Sequence, residues 1–333
     1  MEWNKGYTSR FAIYRVDART WADAEELRFT GGSIDRRDDD LRESADLDMT
    51  EPPDGVECWV RIYLEARQNG VPERSALFTG LTSAPERQLN GSRESFKVEC
   101  YSVLKPAEDI LLEPGWYAPA GLEGAQLAEQ LLSCGPAPVE RSGGSPALRE
   151  YLVAESGETR LSMAGKILAA IGWNLRIDGS GTIRIEPRPT EPGQVFDPEN
   201  DVLELSVSDE QDWFGCPNCL RVVSGSVSAT ARDDDPASAL SSVRRGREVW
   251  AFEGNVTLSD GESLGAYARR RLKELQSPAR RIVYTRRYDP DVRPGDLIEV
   301  RYPGEGIDGV FRVTSQSVTL GHNGATKEEA AGV

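Results

Sequence analysis

Residues 56–66 read VECWVRIYLEA, and this run sets the fold class. Val56, Cys58, Val60, Ile62 and Leu64 alternate strictly with Glu57, Trp59, Arg61, Tyr63 and Glu65. Successive side chains of a strand point to opposite faces, so period two with one apolar set predicts a half-buried antiparallel strand. Outward from it, SALFTGLTS (75–83) supplies a partner, and RESFKVECYSVL (93–104) alternates again through Phe96, Val98 and Cys100. Upstream, RFAIYRVDARTW opens with a short strand, and LRFTGGSID (27–35) reads as another, broken by Gly31 and Gly32. Four or more such strands in the first hundred residues predict a barrel or sandwich.

The grammar changes at Pro106. LEGAQLAEQLLS (122–133) has Leu127 and Leu131 at helical spacing and is stopped by Gly135 and Pro136, with a loop over 135–146. SMAGKILAAIGW (162–173) predicts a second helix, with Ser162 as cap and Gly172 near its end. It feeds RIDGSGTIRI, a tight hairpin around Gly179 and Gly181. After the Pro-rich PRPTEPGQVFDPEN, strands return at 202–207 and 220–227, followed by a long loop over 230–248. The strongest helix lies in NVTLSDGESLGAYARRRLKELQ, where Ser259 and Glu262 have the form of a capping box and Leu264, Ala268, Leu272 and Leu275 make one apolar stripe. RRIVYTRRYD is a strand, and RPGDLIEVRYPGEGIDGVFRV (293–313) is a closing hairpin. The expected class is α+β, predominantly antiparallel β: two barrel-like β domains, 1–105 and 191–333, flanking a small α/β insert at 106–190.

With 333 residues the chain is long enough for two or three modest domains. No run approaches the roughly 18 apolar residues of a membrane span, and MEWNKGYTSRFAIYRV lacks the apolar centre of a secretory signal, so a soluble cytoplasmic product is the default. Thirty-nine basic against 55 acidic residues give a net charge of −16. Phosphate backbones are held by clustered Lys and Arg, so this balance argues against specific nucleic-acid binding. It is compatible with a surface that nucleic acid must pass without sticking.

The candidate chemistry is thin. Cys216-Pro217-Asn218-Cys219 could be half a zinc site or a redox pair, but Cys58, Cys100, Cys134 and His322 are not spaced as its second half. Cys58 and Cys100 fall on apolar strand faces and read as small core residues. His322 is the only histidine and has no G-x-S-x-G partner, so it reads as a turn residue. Asp38-Asp39-Asp40 and Asp233-Asp234-Asp235 lack the alternate spacing of a calcium loop and read as solvated runs. GGSIDRR, DGSGTIRI and PGEGIDG open no helix and read as turns, not phosphate cradles. The basic SVRRGRE (242–248) and YTRRYDP (284–290) fit interchain salt bridges better than a phosphate groove. No catalytic residue, cofactor or metal site is expected.

In order, the chain offers a half-buried β domain, KVECYSVLKPAEDIL, a helical insert with GSGTIRIEP, the helix SLGAYARRRLKELQ, and YDPDVRPGDLIEVRYP followed by GVFRVTSQSVTL. This order resembles the late-control D tail hub family of tailed phages and prophages, which is related in architecture to the hub half of type VI secretion spikes. The likeness covers about residues 10–320 in organisation and is concentrated in 255–320. It implies a virion structural protein of the tail tip or baseplate, made in the host cytoplasm. It further implies a homotrimer whose paired β domains build a pseudo-sixfold ring around the DNA channel. The implied partners are its own copies, a tail tube or distal tail protein, a tape measure protein and a tip or spike protein, with no cofactor. The acidity would then repel phosphate from the channel wall. The rival readings are a carbohydrate-binding tail-tip adhesin, which predicts aromatics gathered in one cleft where the seven Trp are scattered along the chain, and a cell-wall hydrolase using acids of 106–190.

Overall fold

The structure is a computed structural model describing residues 5–37, 43–53, 57–91, 93–198, 207–211, 213–225, 227–254, 256, 263–276, 280–321 and 324–333. It is mostly antiparallel β, and it divides into two compact units. The larger comprises 1–207 and 283–330, the smaller 208–282 and 331–333.

The N-terminal strands are β1 (Thr8–Val16), β2 (Asp23–Leu27), β3 (Phe29–Arg37), β4 (Glu43–Met49), β5 (Trp59–Gln68), β6 (Val71–Thr82), β7 (Glu86–Asn90) and β8 (Arg93–Ser102). There follow α1 (Lys105–Asp109), β9 (Tyr117–Ala118), α2 (Gly124–Leu132), β10 (Val139–Arg141), β11 (Leu152–Val153), α3 (Arg160–Ala170), β12 (Trp173–Ile177), β13 (Ile183–Pro187) and β14 (Gln194–Phe196). Then come β15 (Ser208–Gln211), β16 (Cys219–Ser224), β17 (Val227–Arg232), α4 (Ser242–Arg245), β18 (Trp250–Gly254) and α5 (Leu264–Leu275). The chain closes with β19 (Arg280–Arg286), β20 (Leu297–Tyr302), β21 (Ile307–Leu320) and β22 (Thr326–Gly332).

In the larger unit the pairing runs β19–β22–β21–β3–β4–β8–β6–β5–β1–β2, with β7 on β8 and β20 on β21. The C-terminal strands thus join the N-terminal ones through β21 and β3 (Ser317 opposite Asp35, Val318 opposite Ile34). One core takes Ile13, Ile34, Leu47, Ile62, Phe78, Val98 and Val318, so the sheet coils over its own apolar face. Among the described residues the pairing path stays open at β2, short of a closed barrel.

A second core of the same unit gathers α2, α3 and the sheet β10–β13–β12 around Ala128, Met163, Ile167 and Ile185. Thr159 caps α3 by accepting from the Ser162 amide at 3.1 Å, so Ser162 is the third helical residue and not the cap. The predicted hairpin is present, with Ile177 opposite Ile183 and Gly181 at φ 81°. Its tip abuts β6: a Cβ on Gly179 would lie 1.8 Å from the Ala76 carbonyl oxygen. The Gly179 carbonyl accepts from Thr79 (2.8 Å), and the Ser180 carbonyl accepts from Arg61 (2.9 Å) and Trp21 (3.1 Å).

In the smaller unit α5 packs Ala268 and Leu272 onto Leu220, Val222 and Ala231 of the sheet β17–β16–β18. The α5 cap is Ser263, which accepts from Ala266; Ser259 and Glu262 lie outside the described residues. The expected strand over 220–227 is β16 as far as Ser224, where the chain turns at Gly225 into β17 with Ser224 opposite Val227, and 202–206 falls outside the described residues.

Candidate functional site

The register of β3, β4 and β8 sorts carboxylates onto one face. β4 reads ESADLDM, burying Ala45, Leu47 and Met49 and exposing Ser44, Asp46 and Asp48. Asp46 stands directly opposite Glu99, Ser33 is opposite Asp46, and Glu86 on β7 is opposite Lys97. With Asp35 one step along β3, five carboxylates gather around Lys97 on the solvent face, and Arg37 and Arg93 lie further along β3 and β8 on the same side. An open groove of about 730 Å³ follows Asp46, Asp48, Glu86, Lys97 and Glu99. Like charges directly opposite in a sheet are destabilising. Partial burial, then the charges of Glu99, Asp35 and Asp48, hold the Asp46 carboxyl above its usual range, against the pull of Lys97. Such a field repels polyanions.

Behind this face the same strands hold a belt of buried charge. Register sets Glu43, Arg36 and Gln316 side by side on β4, β3 and β21. Arg36 lies 3.3 Å from Glu43 and donates to the Gln316 amide oxygen and the Leu77 carbonyl. Gln316 donates to Glu328 on β22 (2.5 Å), and Arg286 on β19 grips Glu328 with two bonds of 2.7 and 2.6 Å. Burial works against the Arg286 charge, and the Glu328 carboxylate outweighs it, raising the guanidinium. Arg293 closes the belt, donating to Glu43 (3.1 Å) and to the Ile177 carbonyl at the foot of the hairpin (3.0 Å). Burial raises the Glu43 carboxyl while both neighbouring guanidiniums oppose it. The belt fixes five strands in one register, which is what aligns the acidic face.

The residues singled out from sequence fall elsewhere. Cys216 and Cys219 are both buried, and burial raises the Cys219 thiol, the opposite of an activated thiolate. Between them Asn218 organises a turn, donating to the carbonyls of Leu240 and Arg247 and accepting from the Val249 amide at 2.7 Å. Asp233 accepts from Ser238 (2.6 Å) and Gln276 (2.8 Å), so part of that acidic run builds local structure and is not simply solvated. Asp38, Asp39, Asp40 and His322 lie outside the described residues. Among the described residues no group of three or more His, Cys, Asp or Glu could hold a metal ion.

Three arginines of the two basic stretches are engaged within the chain. Arg286 is spent in the buried pair with Glu328. Arg245 donates to the carbonyls of Cys216 (2.6 Å) and Phe214 (2.8 Å), and Arg247 to that of Phe214 (2.8 Å). These three guanidiniums make bonds within their own chain. From sequence no strand is assigned at β4, and so the acidic face goes unseen. Its signal was the period-two alternation of ESADLDM, muted because Asp is depleted in strands.

No family model matches the chain, and no curated protein sequence matches it. Solved structures do. The 43 kDa tail protein of prophage MuSo2 from Shewanella oneidensis superposes with a TM-score of 0.65 at 14% identity, covering 96% of this chain and 97% of that one. A tail protein from Neisseria meningitidis gives 0.65 at 15% identity, covering 98% and 97%. A chain of the PdpA–VgrG complex of Francisella gives 0.58 at 7% identity, covering 98% of this chain and 58% of that one. The fold is therefore that of prophage tail proteins and of a VgrG-containing complex. At these identities the likeness speaks of fold.

Proposed function

We propose that the protein is a structural component of a phage or prophage tail tip or baseplate, a hub subunit whose copies form a ring around the DNA channel. The observation that carries this reading is the end-to-end fold likeness to two prophage tail proteins, which covers nearly all of both chains. The acidic face of β3, β4, β7 and β8 supports the channel part of the reading. A wall crossed by a polyanion works best when carboxylates outnumber its basic side chains. Self-association through β-rich surfaces, a trimer in this reading, would cover the sheet edges that the chain leaves open. Its partners would be tail tube, tape measure and spike components, its place the virion tail, and its role non-catalytic. The three-part division of the chain, with 106–190 as insert, belongs to the same proposal.

Electron cryomicroscopy of particles carrying the tagged chain tests it. Density for a ring of copies at the distal tail, with Asp46 and Glu99 turned to the lumen, is the expected result. Particles that assemble normally without the chain, or a ring with those residues facing outward, would overturn it.

A further inference from the structure

The smaller unit exposes large side chains on the face of its sheet turned away from α5, although Cys219 on that face is buried. Leu220, Val222 and Ala231 face α5, so alternation turns their neighbours the other way. On that other face Thr230, Arg221 and Phe252 form one cross-strand row, and Arg232, Cys219 and Trp250 the next. Phe252 is 67% exposed and Trp250 43%. Arg221 and Arg232 lie over the Trp250 ring at 5.3 and 5.2 Å from its centroid. Arg232 also pairs with Glu248 at 2.6 Å, whereas Arg221 has no carboxylate within salt-bridge distance among the described residues. Exposed aromatics stacked with arginine are the composition of interface hot spots.

Charge identifies the occupant. The smaller unit holds 11 Lys and Arg against 11 Asp and Glu, so the whole net charge of −16 belongs to the larger unit. A face built on arginine does not pair with a copy of itself, because like charges would meet. A carboxylate-rich surface suits it. Such a contact between different surfaces is heterologous, the kind that closes into rings.

We infer that the Arg221–Trp250–Phe252 face docks onto a carboxylate-bearing surface of the larger unit of a second copy of this chain. The inference rests on the ring reading above and names one of its contacts. Sedimentation velocity over a concentration series, on the wild-type chain and on an Arg221→Glu/Phe252→Ser variant, reads it directly. Both side chains are exposed, so the circular dichroism of the variant should match the wild type. Association of the variant should weaken by roughly tenfold or more, the scale of a lost hot spot. Oligomers indifferent to the double substitution overturn this inference and leave the ring standing. A wild-type chain that stays monomeric throughout overturns both. A photoreactive residue at position 252, in mixed heavy- and light-isotope protein, gives a second readout that needs no destabilising change. Heavy–light crosslinks to peptides within 5–198 or 283–330 are expected; crosslinks confined to 208–282 sink the proposal.

Discussion

Arginine does different work in the two units. In the larger, Arg36, Arg61, Arg286 and Arg293 are each at most 6% exposed and are met by carboxylates, an amide, a hydroxyl or carbonyl oxygens. In the smaller, Arg221 and Arg232 stand in the open beside an exposed tryptophan. The side chain is the same, and the register of its neighbours decides its role. Where adjacent strands present Glu43, Gln316 and Glu328 at matching heights, the charge can be buried. Where they present Thr230 and Phe252, it stays at the surface.

The largest effect expected from this contrast is in the belt. Glu328→Ala leaves the Arg286 charge without its carboxylate in a dry site and should lower stability by about 3–5 kcal/mol in urea unfolding. Replacing the pair together, Arg286→Met with Glu328→Leu, should recover most of that loss, because an uncompensated charge is the costly species. A single substitution costing less than about 1 kcal/mol would break the comparison.

Gly179→Ala should cost about 1–3 kcal/mol, since its Cβ would collide with the β6 backbone and lift the hairpin tip from Arg61 and Thr79. An unchanged melting curve would mean the tip is not seated as described.

Asp46→Asn tests the acidic face with the opposite sign. A carboxyl whose folded value is raised binds its proton more tightly when folded, so its charged form weakens the fold above that value. The penalty is relieved as pH falls through the folded value and is gone below the unfolded one. The variant should therefore be more stable than wild type near pH 7, by roughly 0.2–1 kcal/mol, the range of one cross-strand pair. The gap should close on acidification. A gap that persists at low pH would assign the effect to packing and not charge.

Smallest of all, Arg232→Ala removes an exposed pair with Glu248 and should change the stability of the isolated chain by less than about 1 kcal/mol in the same urea titration. A loss comparable to Glu328→Ala would erase the distinction between the two uses of arginine.

Much of the framework was legible. The strands around 58–66, 75–82 and 93–102, both helices of the insert, the 177–183 hairpin and the closing hairpin follow from periodicity, Gly and Pro. The failures have local reasons. Helix caps moved where two hydroxyls compete, as Thr159 and Ser162 do, because only backbone geometry chooses the acceptor. β4 was hidden by its aspartates. The Cys216–Cys219 spacing suggested chemistry, yet Asn218 between them gives the segment its shape.

Trp59 and Arg61 mark the boundary between the two kinds of information. Alternation in 56–66 put them on the solvent face, opposite Val60 and Ile62, and the strand does turn them that way. They are nevertheless 8% and 6% exposed, because Trp21 and the Ser180 tip cover that face. The sequence by itself determined that strands would form and which residues share a side, since both depend on a two-residue repeat in the local backbone. Only the tertiary structure decided what covers each side, which charges meet partners there and which remain for another molecule. Those outcomes depend on contacts between residues far apart in the chain, such as Arg36 with Gln316, and no local period encodes them.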